Sequence, residues 1–382
     1  MLSRLGKLRG LLTVSIALGL SAYIFALTSQ LDIRDLPYLD KLMSAAIAIG
    51  LYFNTFEIET NLLRNQIGTV LKILLFGVPI KILLPAASLA LLYFFDVPDG
   101  YWIAGLCSTV VAQIDPISTD SFLRQSGMRD ESKIILRAWA SLDDPITVLF
   151  AFYIFLPLAL SQSFNPGDYL LNLLLTLSIW ITLFIIHSNL IRNQPLQSYI
   201  EITLLTAVVL YTVASGQFLL PAVVGLFIRP TLLQRNPQIS QTITSVIFYI
   251  SAIVLGSLAG IVPIKWLAGL SLALPMFFMA QTIVAYVLIK DCGLQDKLRI
   301  MLGHQNGMTA MLLTISLELT GVGPQNGGLF SITLPAILWI ALFYLSSNSL
   351  LDSWIYHPTR ISSSKNIKSS SKNTGSANKL IK

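Results

Sequence analysis

The feature that most constrains this chain is a succession of apolar runs, each about the length that crosses the hydrocarbon core of a bilayer, roughly 20 residues as a helix. Twelve such segments follow one another, near residues 9 to 28, 40 to 57, 66 to 95, 100 to 124, 131 to 158, 168 to 191, 196 to 214, 216 to 230, 238 to 262, 264 to 290, 296 to 320 and 328 to 352. Inside lipid every backbone amide must be paired internally, so runs of this kind predict helices, and the fold class is an all-α membrane protein with about 12 transmembrane helices. Composition agrees: 54% of the 382 residues are hydrophobic and only 12% charged, half of what a soluble domain carries. Soluble enzymes, nucleic-acid binders and disordered scaffolds are excluded on that ground. The third run is read as one kinked helix, because Pro79 and Pro85 interrupt it without a polar loop. The first run follows Arg4, Lys7 and Arg9 but lacks a small-residue cleavage site, so it reads as a retained signal-anchor helix.

Twelve spans put both termini on one side, and the basic residues test the count. Arg4, Lys7, Arg9, Arg64, Arg124, Arg129, Lys133, Arg137, Arg192, Arg229, Arg235, Lys290, Lys297, Arg299, Arg360, Lys365, Lys368, Lys372, Lys379 and Lys382 fall on that side. Only Arg34, Lys41 and Lys265 fall on the other, with Lys72 and Lys81 inside the long third run. The positive-inside rule then places both termini in the cytoplasm of a multi-pass protein of the cell's inner or plasma membrane. Residues 1–352 read as a single transmembrane domain, and residues 353–382, rich in Ser, Asn and Lys, as a disordered basic cytoplasmic tail. Cys107 and Cys292 do not make a disulfide framework.

Three acids, Asp115, Asp143 and Asp144, fall in the middle of spans. A charge at the bilayer centre costs about 2.5–3.5 kcal/mol on insertion scales, so such carboxylates normally serve ions or protons. Asp115 precedes Pro116, which removes a backbone hydrogen bond and breaks the fourth span. Asp115 is either an ion ligand at a broken helix or a local cap on the helix that restarts. Asp143 and Asp144 follow Ser141-Leu142 on the fifth span; adjacent helical residues point about 100° apart, so one can line an ion cavity while the other meets a neighbouring helix. Such a pair holds a proton more readily than a free Asp, the property of a site occupied in turn by a proton or a hard cation. Arg137 is placed either to pair with Asp144 or to snorkel.

The three spans from 264 to 352 repeat the order and lengths of those from 66 to 158, and the counterpart of the Asp115 break is Gly303-His304-Gln305-Asn306-Gly307-Met308-Thr309. Paired interrupted spans are a pointer to a secondary transporter's site. His304 is either a pH sensor or a residue satisfying local hydrogen bonds. His187 and His357 read as solvated or interfacial, and Glu201 and Glu318 as acids snorkelled near helix ends, none of them ligands.

These residues resemble the monovalent cation/proton antiporter family, the sodium/hydrogen exchangers. The run Gly50 to Asn65, with Phe53, Phe56-Glu57-Ile58-Glu59 and Leu62-Leu63-Arg64-Asn65, is similar to the stretch before that family's long core helix. Asp115-Pro116 is similar to its Thr-Asp-Pro break, and Leu142-Asp143-Asp144 to its paired ion site, in matching order over residues 40 to 350. The resemblance implies an inverted-repeat antiporter fold with two crossed discontinuous helices, core helices at about 66–158 and 264–352, and a dimerising panel against which the core moves. It implies Na+ (or Li+ or K+) exchange for H+ with Asp144 as the shared carboxylate, Asp143 as the mark of the Asp-Asp branch, and Asp144 and Asp115 as Na+ ligands. Asn306, Ser141, Pro116, Gln305 and His304 support the site. The partners are a monovalent cation, a proton, the bilayer and a second copy in a homodimer, with no cofactor, no catalytic residue and no nucleic acid. The chain departs from the family at Ile114 for Thr, at Trp139 where the other branch has Glu, and at Asn306 where a Lys or Arg is usual. The expectation is therefore that no cation faces Asp143, which stays protonated and bonds a polar group near Asn306.

Two other readings compete: a sodium-coupled organic-anion symporter of the bile-acid type, which needs no adjacent Asp pair, and an intramembrane aspartyl protease, which needs a Gly-x-Gly-Asp-like site that does not occur. No phosphate-cradling loop for an ATP-driven pump is present.

Overall fold

The computed structural model describes residues 2–29, 32–56, 58, 66–94, 100–160, 166–188, 197–290, 292–322 and 328–370. Among them every regular element is helical: α1 (Leu2–Ser29), α2 (Leu39–Phe56), α3 (Ile67–Tyr93), α4 (Gly100–Ala112), α5 (Pro116–Gln125), α6 (Asp130–Ala159), α7 (Pro166–Ile186), α8 (Gln197–Ser215), α9 (Leu219–Gly225), α10 (Thr231–Arg235), α11 (Pro237–Ile261), α12 (Trp266–Leu288), α13 (Leu294–Met301), α14 (Met308–Leu319) and α15 (Phe330–Ser370). Helices α3, α6, α8, α11, α12 and the Phe330–Asp352 part of α15 are long and apolar enough to cross a membrane, and shorter apolar stretches lie in α1, α4, α7 and α14. Most of Gly50 to Asn65's second half, and the basic residues Arg64 and Arg192, lie outside the described residues, as do 371–382. The α15 backbone stays helical as far as Ser370, into the segment expected as a disordered tail.

Prolines shape the long helices without ending them. In α3 the turn before Pro79 is a π-helix, Ile73–Gly77, and similar π turns occupy Phe150–Phe155 ahead of Pro157 in α6 and Pro275–Ala280 in α12. A wider turn re-pairs the carbonyls that a ring without N–H leaves open. Small residues set the closest helix contact: Gly256 and Gly260 of α11 let α1 approach so near that a Cβ at Gly256 would lie 2.0 Å from the Gly19 carbonyl oxygen.

Two interruptions differ in kind from these bends. Between α4 and α5 the helix stops for residues 113–115, and between α13 and α14 it stops for residues 302–307. The breaks touch each other: the Asp115 N–H donates to the Gln305 carbonyl at 2.8 Å, and the Asn306 side-chain amide donates to the Val111 and Gln113 carbonyls at 3.0 and 2.9 Å.

Candidate functional site

The first break is built by Asp115 and Pro116. Pro116 stands at the first position of α5, where its missing N–H costs nothing, and the Asp115 carboxylate caps that helix by accepting from the Ser118 N–H at 2.8 Å and from the Ser118 hydroxyl. The capping reading is therefore what the geometry shows, and it coexists with a second contact. The same carboxylate packs on Gly307, the residue before α14, so closely that a Cβ there would lie 2.1–2.4 Å from it. One acid thus serves the positive ends of two half-helices.

His304 and Asn306 hold the second break in place. Both are buried and both bond to backbone: His304 Nε2 meets the Val111 carbonyl at 2.9 Å, alongside the Asn306 bonds. Of the two readings of His304, local hydrogen bonding is the one seen. Gln305 contributes its carbonyl rather than its side chain. Gln113 in the first break donates to Thr147 Oγ1 at 2.9 Å, and Thr147 in turn donates to the Asp144 carbonyl at 2.9 Å, tying the break to the fifth span.

Asp143 and Asp144 are buried on α6 and face different neighbours, as 100° per residue requires. Asp143 Oδ2 pairs with Lys81 Nζ of α3 at 2.8 Å, both side chains with no exposure, and the ammonium also lies 5.0 Å from the centre of the Trp139 ring. This overturns the expectation that no cation faces Asp143 and that it bonds near Asn306. The positive charge enters from α3 of the first repeat instead of from the second broken helix, and Trp139, one turn before Asp143, supplies a π face to it. The signal was present: a lysine deep in an apolar span is as costly as a buried acid and calls for a partner. Arg137 pairs with Asp120 at 2.6 Å rather than with Asp144.

Asp144 Oδ2 accepts from the Asn54 amide of α2 at 2.5 Å, and the same amide nitrogen lies 3.2 Å from Thr309 Oγ1 in the first turn of α14. Asp144 Oδ1 is buried with no hydrogen-bond partner among the described residues. Asn54 and Thr309 were missed as site residues, although an amide alone in the apolar run of α2 was a visible irregularity. Ser141 is buried one turn before Asp144. Among the described residues no three acids, imidazoles or thiols gather as a metal centre. A cation at Asp144 would complete its shell from hydroxyl and backbone oxygens, which suits a hard ion.

Two expectations elsewhere fail. Glu201 is buried, not snorkelled, and takes 2.8 Å hydrogen bonds from Gln197 and His187, so His187 is not merely solvated. Glu318 is buried too and accepts the Phe330 N–H at the start of α15 at 3.0 Å. A cavity of about 430 Å³ opens where α2 begins and α6, α8 and α14 end, with Asp40, Ser44 and Phe152 among its walls; Phe152 lies two turns beyond Asp144.

Fold and site together define a helical membrane protein in which two interrupted helices meet beside a buried acid pair. No family model matches the sequence, and no curated protein matches it either. Solved structures do: the structure of the sodium proton antiporter MjNhaP1 from Methanocaldococcus jannaschii at pH 8 superposes with a TM-score of 0.68 at 17% identity, over 88% of this chain and 91% of that one. An electron-microscopy structure of the same antiporter gives a TM-score of 0.56 at 19% identity over 84% and 85% of the two chains. The fold of this chain is that of a sodium proton antiporter.

Proposed function

We propose that the protein is a secondary antiporter that exchanges a monovalent cation, Na+ or else Li+ or K+, for H+, with Asp144 as the carboxylate that holds either cargo. The observation that carries this is the state of Asp144: buried where both helix breaks converge, with one oxygen on a neutral amide and the other without a partner. A lone buried carboxylate is tolerable only if it is protonated or meets a cation, and those are the two cargoes. The antiporter fold supports the same reading.

The rest of the arrangement follows from it. Asp115, held at two helix starts, stands ready as a further ligand, and the breaks behave as the crossed discontinuous helices of an inverted repeat. The cavity bearing Asp40 serves as the outer vestibule. Twelve spans, both termini in the cytoplasm, a homodimer through the panel helices and a role in pH homeostasis complete the proposal. No residue has a catalytic part in it, and neither the symporter nor the protease reading gains a supporting observation.

The test is cation-induced dequenching of a pH-sensitive dye in proteoliposomes, with Asp144→Asn as control. Na+, Li+ or K+ should collapse the pH gradient with the unaltered protein and not with the variant. Silence towards all three cations, or an undiminished response from Asp144→Asn, rejects exchange at this site.

A further inference from the structure

We propose that Asn54 is a latch on the empty carrier: its amide ties the ionised, cargo-free Asp144 to helix α2, and loading Asp144 with a proton or a cation releases it. The inference rests on the exchange reading above and concerns what couples the two cargoes.

Helix α2 has two faces with different attachments. One belongs to α8, α9 and the segment after it: Tyr52 and Phe53 pack with Val208, Leu220, Val224 and Ile228 in a hydrophobic cluster separate from the one around Trp139 and Ile114. Tyr52 Oη donates to the Ile228 carbonyl at 3.1 Å, Arg229 donates to the Ile58 carbonyl at 2.6 Å, and a Cβ at Gly225 would lie 2.6 Å from the Tyr52 carbonyl oxygen. That face is close-packed and unsuited to sliding. The other face meets the site helices, where Asn54 reaches Asp144 on α6 and Thr309 on α14. Asn54 is therefore the place where a helix anchored to one group of spans holds the cargo carboxylate of the other.

An exchanger must let its proton-loaded and cation-loaded forms change sides while holding the empty form, or each cargo leaks down its own gradient. A bond from an amide N–H to a carboxylate is charge-assisted and roughly twice as strong as one between neutral groups. Protonation removes that charge. A bound cation neutralises it and repels the N–H dipole. The hold is thus strongest in the one form that must not move, which is the differential interaction any coupled conformational change requires. A neutral donor also suits the task better than a basic residue, because it leaves the Asp144 charge available to the incoming ion.

The experiment uses the full chain in proteoliposomes with equal pH on both sides and a potassium-diffusion potential, reading radioactive Na+ uptake and, in separate sodium-free vesicles, proton leak. Asn54→Ala and the volume-filling Asn54→Leu should both gain potential-driven Na+ uptake and a sodium-free proton leak, each at least about tenfold above the unaltered protein, the factor that one lost hydrogen bond to a charged group corresponds to. Sodium-dependent thermal stabilisation of each variant reports that it is folded and still binds. Folded variants that keep tight coupling without leak overturn the latch, and so do folded variants that bind Na+ but transport nothing. Unaltered protein that exchanges no cation at all defeats the antiport reading instead, a result distinguishable from either.

Discussion

At the scale of single residues the defining contact is Lys81–Asp143, an ion pair at 2.8 Å with both side chains fully enclosed. Removing one partner of such a pair leaves an uncompensated charge and costs about 3–5 kcal/mol, whereas replacing both by apolar groups is close to neutral. Lys81→Met alone should therefore lower the thermal stability of the purified protein sharply, by about 3–5 kcal/mol, and Lys81→Met with Asp143→Leu should recover most of it. Equal damage from the single and double variants in thermal unfolding would show that the pair is not what holds these helices. The pair also bears on stoichiometry. Under the proposed exchange, a cation arriving at Asp144, the next residue to Asp143, repels the Lys81 ammonium across the pair, and voltage-dependent exchange is the outcome to test. Exchange rates measured under clamped potential should respond to voltage in the unaltered protein and lose that response in the double variant. Lys81 in an apolar span called for a partner, but nothing local named it, because Asp143 lies 62 positions away on another helix.

At the scale of elements, the two breaks were legible because their causes are local. Pro116 lacks an N–H, Asp115 caps, and the glycines Gly303 and Gly307 flanking a polar stretch weaken the helix there. What was not legible is how the breaks are joined, since Asn306 spends its amide on the Val111 and Gln113 carbonyls, a backbone contact that side-chain chemistry does not encode. The same holds for the buried Glu201 and Glu318, whose partners come from packing rather than position in a helix. Gly307 leaves no room between the breaks, since any side chain there meets the Asp115 carboxylate. Gly307→Ala should push Asp115 off Ser118 and displace the start of α14, reducing cation exchange by at least about tenfold, the scale of effect expected from a displacement near 1 Å at a pre-organised site. The check is exchange rate against cation concentration in a variant that still elutes as a single species; unchanged kinetics would mean that Asp115 has room to spare.

For the whole molecule, hydropathy marked where helices lie, and each apolar run from 9 to 352 holds at least one in the structure, the fourth and eleventh runs two each, and the short eighth run α9 at Leu219–Gly225. Which helices cross was less legible: among the described residues six are long and apolar enough by themselves, and the two interrupted runs are each divided into shorter helices. Sidedness rests on a physical asymmetry, the cost of carrying Lys and Arg outward across a charged membrane, which applies to short loops near helix ends. It assigns the exposed helix-end residues Asp130 and Gln238 and the tail position Ser369 to the inside, and the exposed residues Asp35 and Ser215 to the outside. In a chain with Cys107 and Cys292 replaced by Ser, single cysteines at these five positions should divide accordingly. A membrane-impermeant maleimide added to intact cells should modify only those at 35 and 215, and permeabilisation should expose the other three. Because an added or lost span reverses every later position, labelling of 130 together with 35 would break the count within the first half, and labelling of 369 alone out of register would place the error in α11 or beyond it.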